Sequence, residues 1–423
     1  MQIFSKKIYT IFFVCVLTFC ALQNAAAQNR IGFFKDALKE NREKFYKKIV
    51  SGINKNLSLP FTADNEDQLS NAFYSIGLIK YRSVFVDNKI DSAVKTMSLR
   101  SIDYQKALLN LINSDYPKKY TAYIFTVFKN AKDAKLMAMA ANYLLLTATP
   151  PQLKVMELQT VSQLAQSPDN AILYELNEQL KNQNENIATP SLKPFFAKDY
   201  LPGQVLVFSF QRKDRNYPGI AMVRNTTGDF IKNEDGNYFS VGQLARSATN
   251  MPGYITDGNT PQGFFKMNGF DTSKSFFIGP TTNIQLSMPH EYHPFVVNGE
   301  LIDTTWSLQQ YKDLLPDNFK NYHPMYGTFY AGKAGRTEII AHGTTIDTSF
   351  YTNQTYAPYT PTAGCLCTKE IWNNKNGFLE TSDQLLLTQA VKKAGGPCGY
   401  LIVVEIDDKR KPVTLDDIIS FLK

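Results

Sequence analysis

Histidine and cysteine are scarce in this chain, so each side chain able to act as a general base or a thiol nucleophile can be considered individually. Only four histidines and five cysteines occur in 423 residues. Two cysteines lie near the N-terminus, and the other three, Cys365, Cys367 and Cys398, lie near the C-terminus. In an exported chain, three cysteines leave at least one thiol outside any intramolecular disulfide. A Cys367–Cys398 disulfide with Cys365 free and a set of three free thiols both satisfy this count.

Long apolar runs are absent except at the N-terminus. There, residues 8–22 are apolar, follow Lys6-Lys7 and precede Ala25-Ala26-Ala27, the layout of a secretory signal peptide over residues 1–27. The run is short for a membrane span of ~20 residues; an uncleaved anchor or a lipoprotein attached at Cys20 are the alternatives. Because no later stretch is apolar enough to cross a bilayer, the sequence predicts a protein of the periplasm or cell envelope without an integral membrane segment.

Neither sign of charge dominates the composition. Residues 1–27 contain two lysines and no acid, so their removal from the 45 basic and 38 acidic residues leaves 43 basic residues against 38. An excess this small gives no reason to expect nucleic acid as a partner. It permits weak attraction to an anionic envelope polymer, but an ordinary solvated surface is the favoured interpretation.

The remaining chain divides into a helical half and a strand-rich half. Residues 28–181 contain few glycines and repeat apolar residues at spacings of three and four, which predicts an all-α domain of helical hairpins with Ser101 and Asp133 among its N-caps. A polar, proline-containing stretch over residues 182–201 indicates a linker. Residues 202–423 are typical of strands with a few helices, so the predicted fold class is α+β. The role of the helical domain is open; an unknown protein partner is one candidate.

Apolar alternation and turn signals place individual elements in the C-terminal half. Strands are predicted at residues 205–210, 219–224, 276–278, 283–288, 295–297, 338–341 and 400–406. Short helices are predicted at residues 241–249, 307–315, 382–394 and 415–422.

Three of the four histidines are poorly placed for catalysis. His290 and His293 lie in Pro289-His-Glu-Tyr-His-Pro294, one residue short of the HExxH zinc spacing and between prolines that prevent a regular helix. His323 precedes a proline in a predicted loop. We therefore expect no metal site at the first pair and a structural or surface role for His323.

His342 is the remaining candidate base, and a thiol is available downstream. It follows an apolar run, precedes Gly343 and is separated from Cys365 by a polar loop rich in Tyr and Thr. A neighbouring imidazole can lower a thiol pKa from ~8.5 to roughly 3.5–7.5, which yields the nucleophilic thiolate. Because Gly364 permits positive φ and close approach of a substrate, Thr362-Ala363-Gly364 is predicted to form an oxyanion turn.

Two structural interpretations compete with a thiol hydrolase or acyltransferase. Cys365 as a buried structural cysteine is the first. A zinc site formed by His342 with Cys365, Cys367 and Cys398 is the second. Cys-x-Cys spacing is poor for zinc, so neither a metal nor another cofactor is expected.

The same residues resemble the active-site motifs of the L,D-transpeptidase family, which has a YkuD-like catalytic domain. His342-Gly343-Thr344 is similar to the family's His-Gly-Thr-type segment, and Thr362-Ala363-Gly364-Cys365 is similar to its Ser/Thr-His-Gly-Cys motif in three of four positions. Upstream, Thr260-Pro261-Gln262-Gly263-Phe264-Phe265 resembles the family's Thr-Pro-x-Gly-x-Phe segment. The resemblance covers residues 202–423 and leaves the helical half outside it.

The resemblance implies a role for each matched residue. Cys365 would be the nucleophile, and His342 would be the base that activates it and later protonates the leaving amine. The backbone carbonyl of Gly343 would orient the imidazole, as an Asp or Asn does in other triads. The turn formed by Thr362, Ala363 and Gly364 would bind the substrate.

Two departures from the family pattern flank the expected nucleophile. Ala363 stands in place of the family's second histidine, and Cys367 stands where Asn or Arg is usual. The loop over residues 343–361 is also slightly longer than usual. The missing histidine would have lined the oxyanion site, so we expect the departures to affect substrate positioning more than nucleophilic attack.

The function implied by the resemblance is acyl transfer on peptidoglycan stem peptides through a Cys365 thioester. Water as the acceptor would make the protein an L,D-carboxypeptidase. The alternative from another class is a non-catalytic cell-envelope binding protein.

Overall fold

The computed structural model of the chain describes residues 32–183, 187–291 and 306–422, together with two short strands at 296–297 and 300–301. The predicted signal peptide, residues 1–27, and His293 lie outside the described residues. Within the described ranges, no helix is both long and apolar enough to cross a membrane.

The N-terminal half of the described chain is built from eight α-helices. They are α1 (Lys39–Leu57), α2 (Glu66–Ile79), α3 (Val84–Thr96), α4 (Ile102–Asp115), α5 (Thr121–Asn130), α6 (Ala134–Leu144), α7 (Pro150–Gln166) and α8 (Ala171–Lys181). Ser101 and Asp133 cap α4 and α6 as predicted, since each side chain accepts a hydrogen bond from the backbone N–H three residues later. The apolar faces enclose one core, in which Phe73, Leu108 and Met139 are fully buried.

The C-terminal half contains a closed barrel of eight strands. They are β1 (Val205–Arg212), β2 (Gly219–Arg224), β3 (Val241–Leu244), β4 (Gly263–Asp271), β5 (Asn283–Ser287), β8 (Ile340–His342), β9 (Leu366–Thr368) and β12 (Gly399–Asp407). Around the barrel the order is β1-β12-β4-β5-β8-β9-β3-β2. The β1–β12 and β8–β9 pairs are parallel, and the remaining neighbours are antiparallel. The predicted α+β class is confirmed.

Short elements complete the second half. Two-stranded ribbons pair β6 (Val296–Val297) with β7 (Glu300–Leu301) and β10 (Glu370–Trp372) with β11 (Leu379–Ser382). The helices are α9 (Leu308–Leu314), α10 (Gly327–Lys333), α11 (Asp383–Lys393) and α12 (Leu415–Ile419). The helices predicted at 307–315 and 382–394 are confirmed to within one residue at each end, whereas the one predicted at 415–422 ends earlier.

Four of the barrel strands, β1, β2, β4 and β12, are apolar on both faces because each face packs in a different core. On β1, Val205 and Val207 belong to the inner core, to which all eight barrel strands contribute buried side chains. Leu206 and Phe208, which alternate with them, belong to an outer core that α9, α10 and α12 cover. Phe195, in the segment predicted as a linker, is fully buried in this outer core.

Three predicted elements of this half differ from the structure. The prediction of a helix at 241–249 is wrong, because Val241–Leu244 forms β3. The pairing of β3 with β2 and β9 outweighs the local helical pattern. The strand predicted at 276–278 is a turn. The strand predicted at 338–341 is β8, at Ile340–His342, so His342 belongs to the strand itself.

Two loops of the barrel half pack against the helical half. Met251, Tyr254 and Ile255, in the loop before β4, belong to the helical core. In the loop between β8 and β9, the Tyr351 hydroxyl donates a hydrogen bond to the Leu78 carbonyl at 2.6 Å. The same two loops lead into the predicted site residues.

Candidate active site

Strands β8 and β9 bring the predicted base and nucleophile to neighbouring positions. In their parallel register, Ala341 lies opposite Leu366 and His342 lies opposite Cys367. Cys365, which directly precedes β9, contacts the Ile340 N–H at the start of β8. Ala341 and Leu366 pack inside the barrel. Because successive side chains of a strand point to opposite faces, His342, Cys365 and Cys367 share the outer face.

The imidazole of His342 is held by the backbone of the next residue. Only 3% of His342 is exposed, and its Nδ1 atom lies within hydrogen-bonding distance of the Gly343 carbonyl oxygen. A carbonyl oxygen only accepts, so Nδ1 carries the proton and Nε2 has the free lone pair. Burial lowers the pKa of His342 to about 4, against a smaller opposite effect of the Gly343 hydrogen bond. The imidazole is therefore neutral at physiological pH, and Nε2 is the atom that can accept a proton.

The Cys365 thiol is partly exposed and bonded to the backbone of the β8 segment. Its Sγ atom accepts a hydrogen bond from the Ile340 N–H at 3.5 Å and donates to the Glu338 carbonyl at 3.6 Å. Desolvation by the surrounding protein raises the pKa of Cys365 to about 11. The resting pair is thus an uncharged thiol and an uncharged imidazole without a hydrogen bond between them.

The predicted oxyanion turn is stabilised by the Thr362 hydroxyl. This hydroxyl accepts a hydrogen bond from the Gly364 N–H at 2.9 Å and donates to the Cys365 carbonyl at 2.9 Å. Gly364 has φ +117°, and a Cβ there would lie 2.5 Å from the Gly258 carbonyl oxygen, so only glycine fits. Because the Gly364 N–H is used, the N–H groups of Ala363 and Cys365, which make no hydrogen bond to the described residues, are the available oxyanion donors.

The upstream segment that resembles Thr-Pro-x-Gly-x-Phe contacts this turn directly. The Thr260 hydroxyl, which is buried, donates a hydrogen bond to the Gly364 carbonyl at 2.8 Å. Gly263 begins β4 with φ +127°, and a Cβ there would lie 2.8 Å from the Met325 carbonyl oxygen. All three motif segments found in the sequence therefore meet at one place.

Arg336 is a residue of the site that the sequence did not single out. Its buried guanidinium donates hydrogen bonds to the carbonyls of Gly253, Gly258 and Asn259. A Cβ at Gly364 would collide with its Nη2 atom. Desolvation lowers the pKa of Arg336 to about 10, so it remains a cation close to the thiol. Nothing in the sequence around Arg336 signals this role, because its partners are backbone carbonyls distant in the chain.

Glu370 is a second such residue, on β10 just beyond β9. It is 3% exposed, and its carboxylate accepts hydrogen bonds from the Thr344 N–H at 2.9 Å and the Ser382 hydroxyl at 2.6 Å. Desolvation raises the pKa of Glu370 to about 7. The only feature of the sequence that could have indicated Glu370 is an acidic residue in a short segment close to Trp372.

The other candidate ligands and bases lie elsewhere. The His290 ring packs edge-on against Phe329 with centroids 4.6 Å apart, and His323 pairs with Glu175 at 3.0 Å, in agreement with the predicted structural role of His323. All three described cysteines are free, with Cys367 buried and Cys398 exposed. Of the two arrangements that the cysteine count allows, the structure has the one with three free thiols and no Cys367–Cys398 disulfide. No cluster of three or more His, Cys, Asp or Glu side chains suited to a metal occurs in the described ranges.

A cavity of about 430 Å³ lies between the two halves. Its helical side is formed by Asn142, Glu175 and Gln179. On the barrel side it reaches Thr260 and Pro261 of the upstream motif, but neither Cys365 nor His342 lines it. Gly253 and Asn259, whose carbonyls Arg336 binds, also line the cavity.

Comparison with protein-family models, curated proteins and solved structures found no match for this chain. Any assignment of function therefore depends on the chemistry and geometry of the residues themselves.

Proposed function

We propose that this protein is an exported cysteine acyltransferase of the L,D-transpeptidase type that acts on peptidoglycan stem peptides. The observation that supports the proposal best is the β8–β9 register, which sets His342 opposite Cys367 and Cys365 beside β8. A neutral imidazole on β8, unprotonated at Nε2, and a partly exposed thiol just before the paired strand β9 are the two groups that nucleophilic acyl transfer needs.

In the proposed reaction, Cys365 Sγ attacks the amide carbon of an L-centre while His342 Nε2 takes the thiol proton. The N–H groups of Ala363 and Cys365 hold the oxyanion that forms, a contribution of about 2.7–4 kcal/mol per donor in comparable sites. The C–N bond then breaks, and His342 returns the proton to the leaving amine of the D-amino acid. The resulting thioester passes its acyl group to a second amine, which restores the thiol.

The neutral resting pair bears on how the nucleophile is activated. A thiol with a pKa of about 11 beside an imidazole with a pKa of about 4 does not ionise before the substrate binds. Proton transfer therefore accompanies attack as general-base catalysis, in contrast to a preformed thiolate–imidazolium pair.

A carbapenem provides the direct test, because these compounds acylate L,D-transpeptidases at the catalytic cysteine. We expect the chain spanning residues 28–423 to gain the mass of one carbapenem at neutral pH, and Cys365→Ala to gain none. Cys398→Ala is the matched control, since that thiol is exposed and lies outside the site; it should acylate like the wild type. Folded wild-type protein that forms no adduct would contradict the proposal.

A second measurement, with a stem tetrapeptide as substrate, identifies whether an amine or water accepts the acyl group. With an added amine acceptor, a transpeptidase yields the crosslinked peptide, whereas an L,D-carboxypeptidase yields the tripeptide acid whether or not the amine is present. Mass spectrometry distinguishes the two products.

The polar cavity favours a second candidate, a non-catalytic cell-envelope binding protein. Its lining of carboxamide and charged side chains lies apart from the thiol. A peptidoglycan fragment that binds Cys365→Ala as tightly as the wild type, without any turnover by the wild type, would support this candidate.

A further inference from the structure

A buried carboxylate reaches the candidate base through a single peptide group. Oε2 of Glu370 accepts a hydrogen bond from the Thr344 N–H at 2.9 Å. That N–H belongs to the same peptide unit as the Gly343 carbonyl, which is the group beside Nδ1 of His342. The contacts therefore run from carboxylate to peptide N–H, and from peptide carbonyl to imidazole.

We infer that Glu370 is a positioning residue for His342, which it makes a stronger base by polarising the Gly343–Thr344 peptide group. Consecutive hydrogen bonds strengthen one another, by perhaps 10–30% per bond in condensed phases. A negative charge at the N–H end raises the partial negative charge on the carbonyl oxygen, and that oxygen stabilises the imidazolium form. The inference rests on the proposed role of His342 as the base.

The surroundings hold this arrangement in place. The second carboxylate oxygen of Glu370 accepts a hydrogen bond from the Ser382 hydroxyl at 2.6 Å. Trp372 Nε1 donates to the Thr344 carbonyl at 2.9 Å, so the peptide units on both sides of Thr344 are fixed. A Cβ at position 343 would overlap the Glu370 carboxyl group. Gly343 is therefore the residue that lets the carboxylate approach the backbone behind the imidazole.

The charge of Glu370 changes within the physiological pH range, whereas the charges of Cys365, Cys367 and His342 do not. Burial raises the pKa of Glu370 to about 7. Among the titratable groups nearby, the pKa values of Cys365 and Cys367 are raised by burial to about 11 and about 12, and that of His342 is lowered to about 4. Ser382 and the Thr344 N–H, which contact the carboxylate, are uncharged. A step near pH 7 in the properties of His342 would therefore arise from Glu370.

Glu370→Gln is the informative variant, because it retains the size of the side chain and an acceptor oxygen for the Thr344 N–H but removes the charge. We expect the second-order rate constant for acylation by a carbapenem at pH 8 to fall about tenfold, the lower end of the loss seen when a group that orients a metal-bound histidine is changed. The inflection of the rate near pH 7 should disappear as well. Asp417→Asn is the matched control, a mostly buried carboxylate in the outer core paired with Arg212, and should leave the rate within about twofold.

The Nδ1–H proton resonance of His342 gives a readout independent of activity. With only four histidines in the chain, selective labelling and a His342→Gln variant assign it. In the wild type we expect the resonance to move downfield as pH rises through about 7, since the hydrogen bond to Gly343 strengthens when Glu370 ionises. In Glu370→Gln this step should vanish.

A step that persists in Glu370→Gln, or that is missing from the wild type, would overturn the inference. So would an acylation rate in Glu370→Gln equal to that of the wild type across the pH range. A wild type without any carbapenem adduct but with the pH-linked resonance shift would contradict the acyltransferase and leave the coupling of Glu370 to His342 standing.

Discussion

At the scale of single residues, the candidate site combines a well-oriented imidazole with a thiol in its unreactive protonation state. The Gly343 carbonyl selects the tautomer of His342, so no side-chain carboxylate needs to touch the ring. Burial lowers the pKa of the ring to about 4 and raises the pKa of Cys365 to about 11. We therefore expect the uncharged Cys365 thiol to react slowly with simple electrophiles, even if it reacts readily with a bound substrate.

The raised pKa of Cys365 predicts slow alkylation by iodoacetamide at neutral pH. Because only the thiolate reacts, the rate should rise about tenfold per pH unit from pH 7 to 10, without the plateau that an ordinary thiol of pKa ~8.5 reaches. Peptide mapping of Cys365 over this range, in a Cys398→Ser background that removes the exposed thiol, measures the rate. A plateau below pH 8 would show instead that a thiolate is already formed beside His342.

At the scale of elements, Arg336 connects the loop before β4 to the turn formed by Thr362, Ala363 and Gly364. Its guanidinium binds three carbonyls of that loop, those of Gly253, Gly258 and Asn259, and adjoins Gly364. The apolar residues of the same loop lie in the helical core. The position of the turn therefore depends on the helical half, which gives that half a structural role in the site.

Arg336→Met is expected to affect both stability and the thiol. Each hydrogen bond from a charged group is worth about 1.5–3 kcal/mol, so we expect the free energy of unfolding to fall by several kcal/mol. The positive charge of Arg336 also favours the Cys365 thiolate. Its loss should raise the pKa of Cys365 and so slow its alkylation at pH 9, because less thiolate is present.

Arg212→Met is the matched control for that variant. Arg212 is likewise buried and pairs with Asp407 at 2.6 Å and Asp417 at 2.7 Å, but it lies in the outer core. We expect a comparable loss of stability in urea denaturation with unchanged alkylation of Cys365. Equal slowing in both variants would mean that Arg336 acts only through general destabilisation.

At the scale of the whole molecule, side chains of the barrel half pack into the helical core, so we expect the two halves to unfold together. Met251, Tyr254 and Ile255 of the barrel half are buried in the helical core, and the Tyr351 hydroxyl bonds to the Leu78 carbonyl at 2.6 Å. Loss of either half would expose these side chains to water.

Calorimetry on residues 28–423 should accordingly show a single unfolding transition. Met251→Ala removes a fully buried side chain at the junction and should destabilise the molecule by about 2–5 kcal/mol, shifting that one transition to lower temperature. Two separated transitions, of which the variant moves only one, would show that the halves unfold independently.

The sequence by itself determined the order of the two halves, the helix caps at Ser101 and Asp133, and the three motif segments that converge at Thr260, His342 and Cys365. These features are local, since capping, periodicity and turn chemistry act over a few residues. The α+β class follows from them. The pairing of β3 did not, because a four-residue segment adopts the conformation that its neighbours in the sheet impose.

Only the tertiary structure decided how the site is held and charged. The approach of Arg336 to the turn and the path from Glu370 to His342 join residues far apart in the chain. The neutral states of Cys365 and His342 follow from desolvation. Burial is a property of the whole packed molecule, so residue types and spacing name the chemical groups, whereas their protonation and orientation emerge only from the fold.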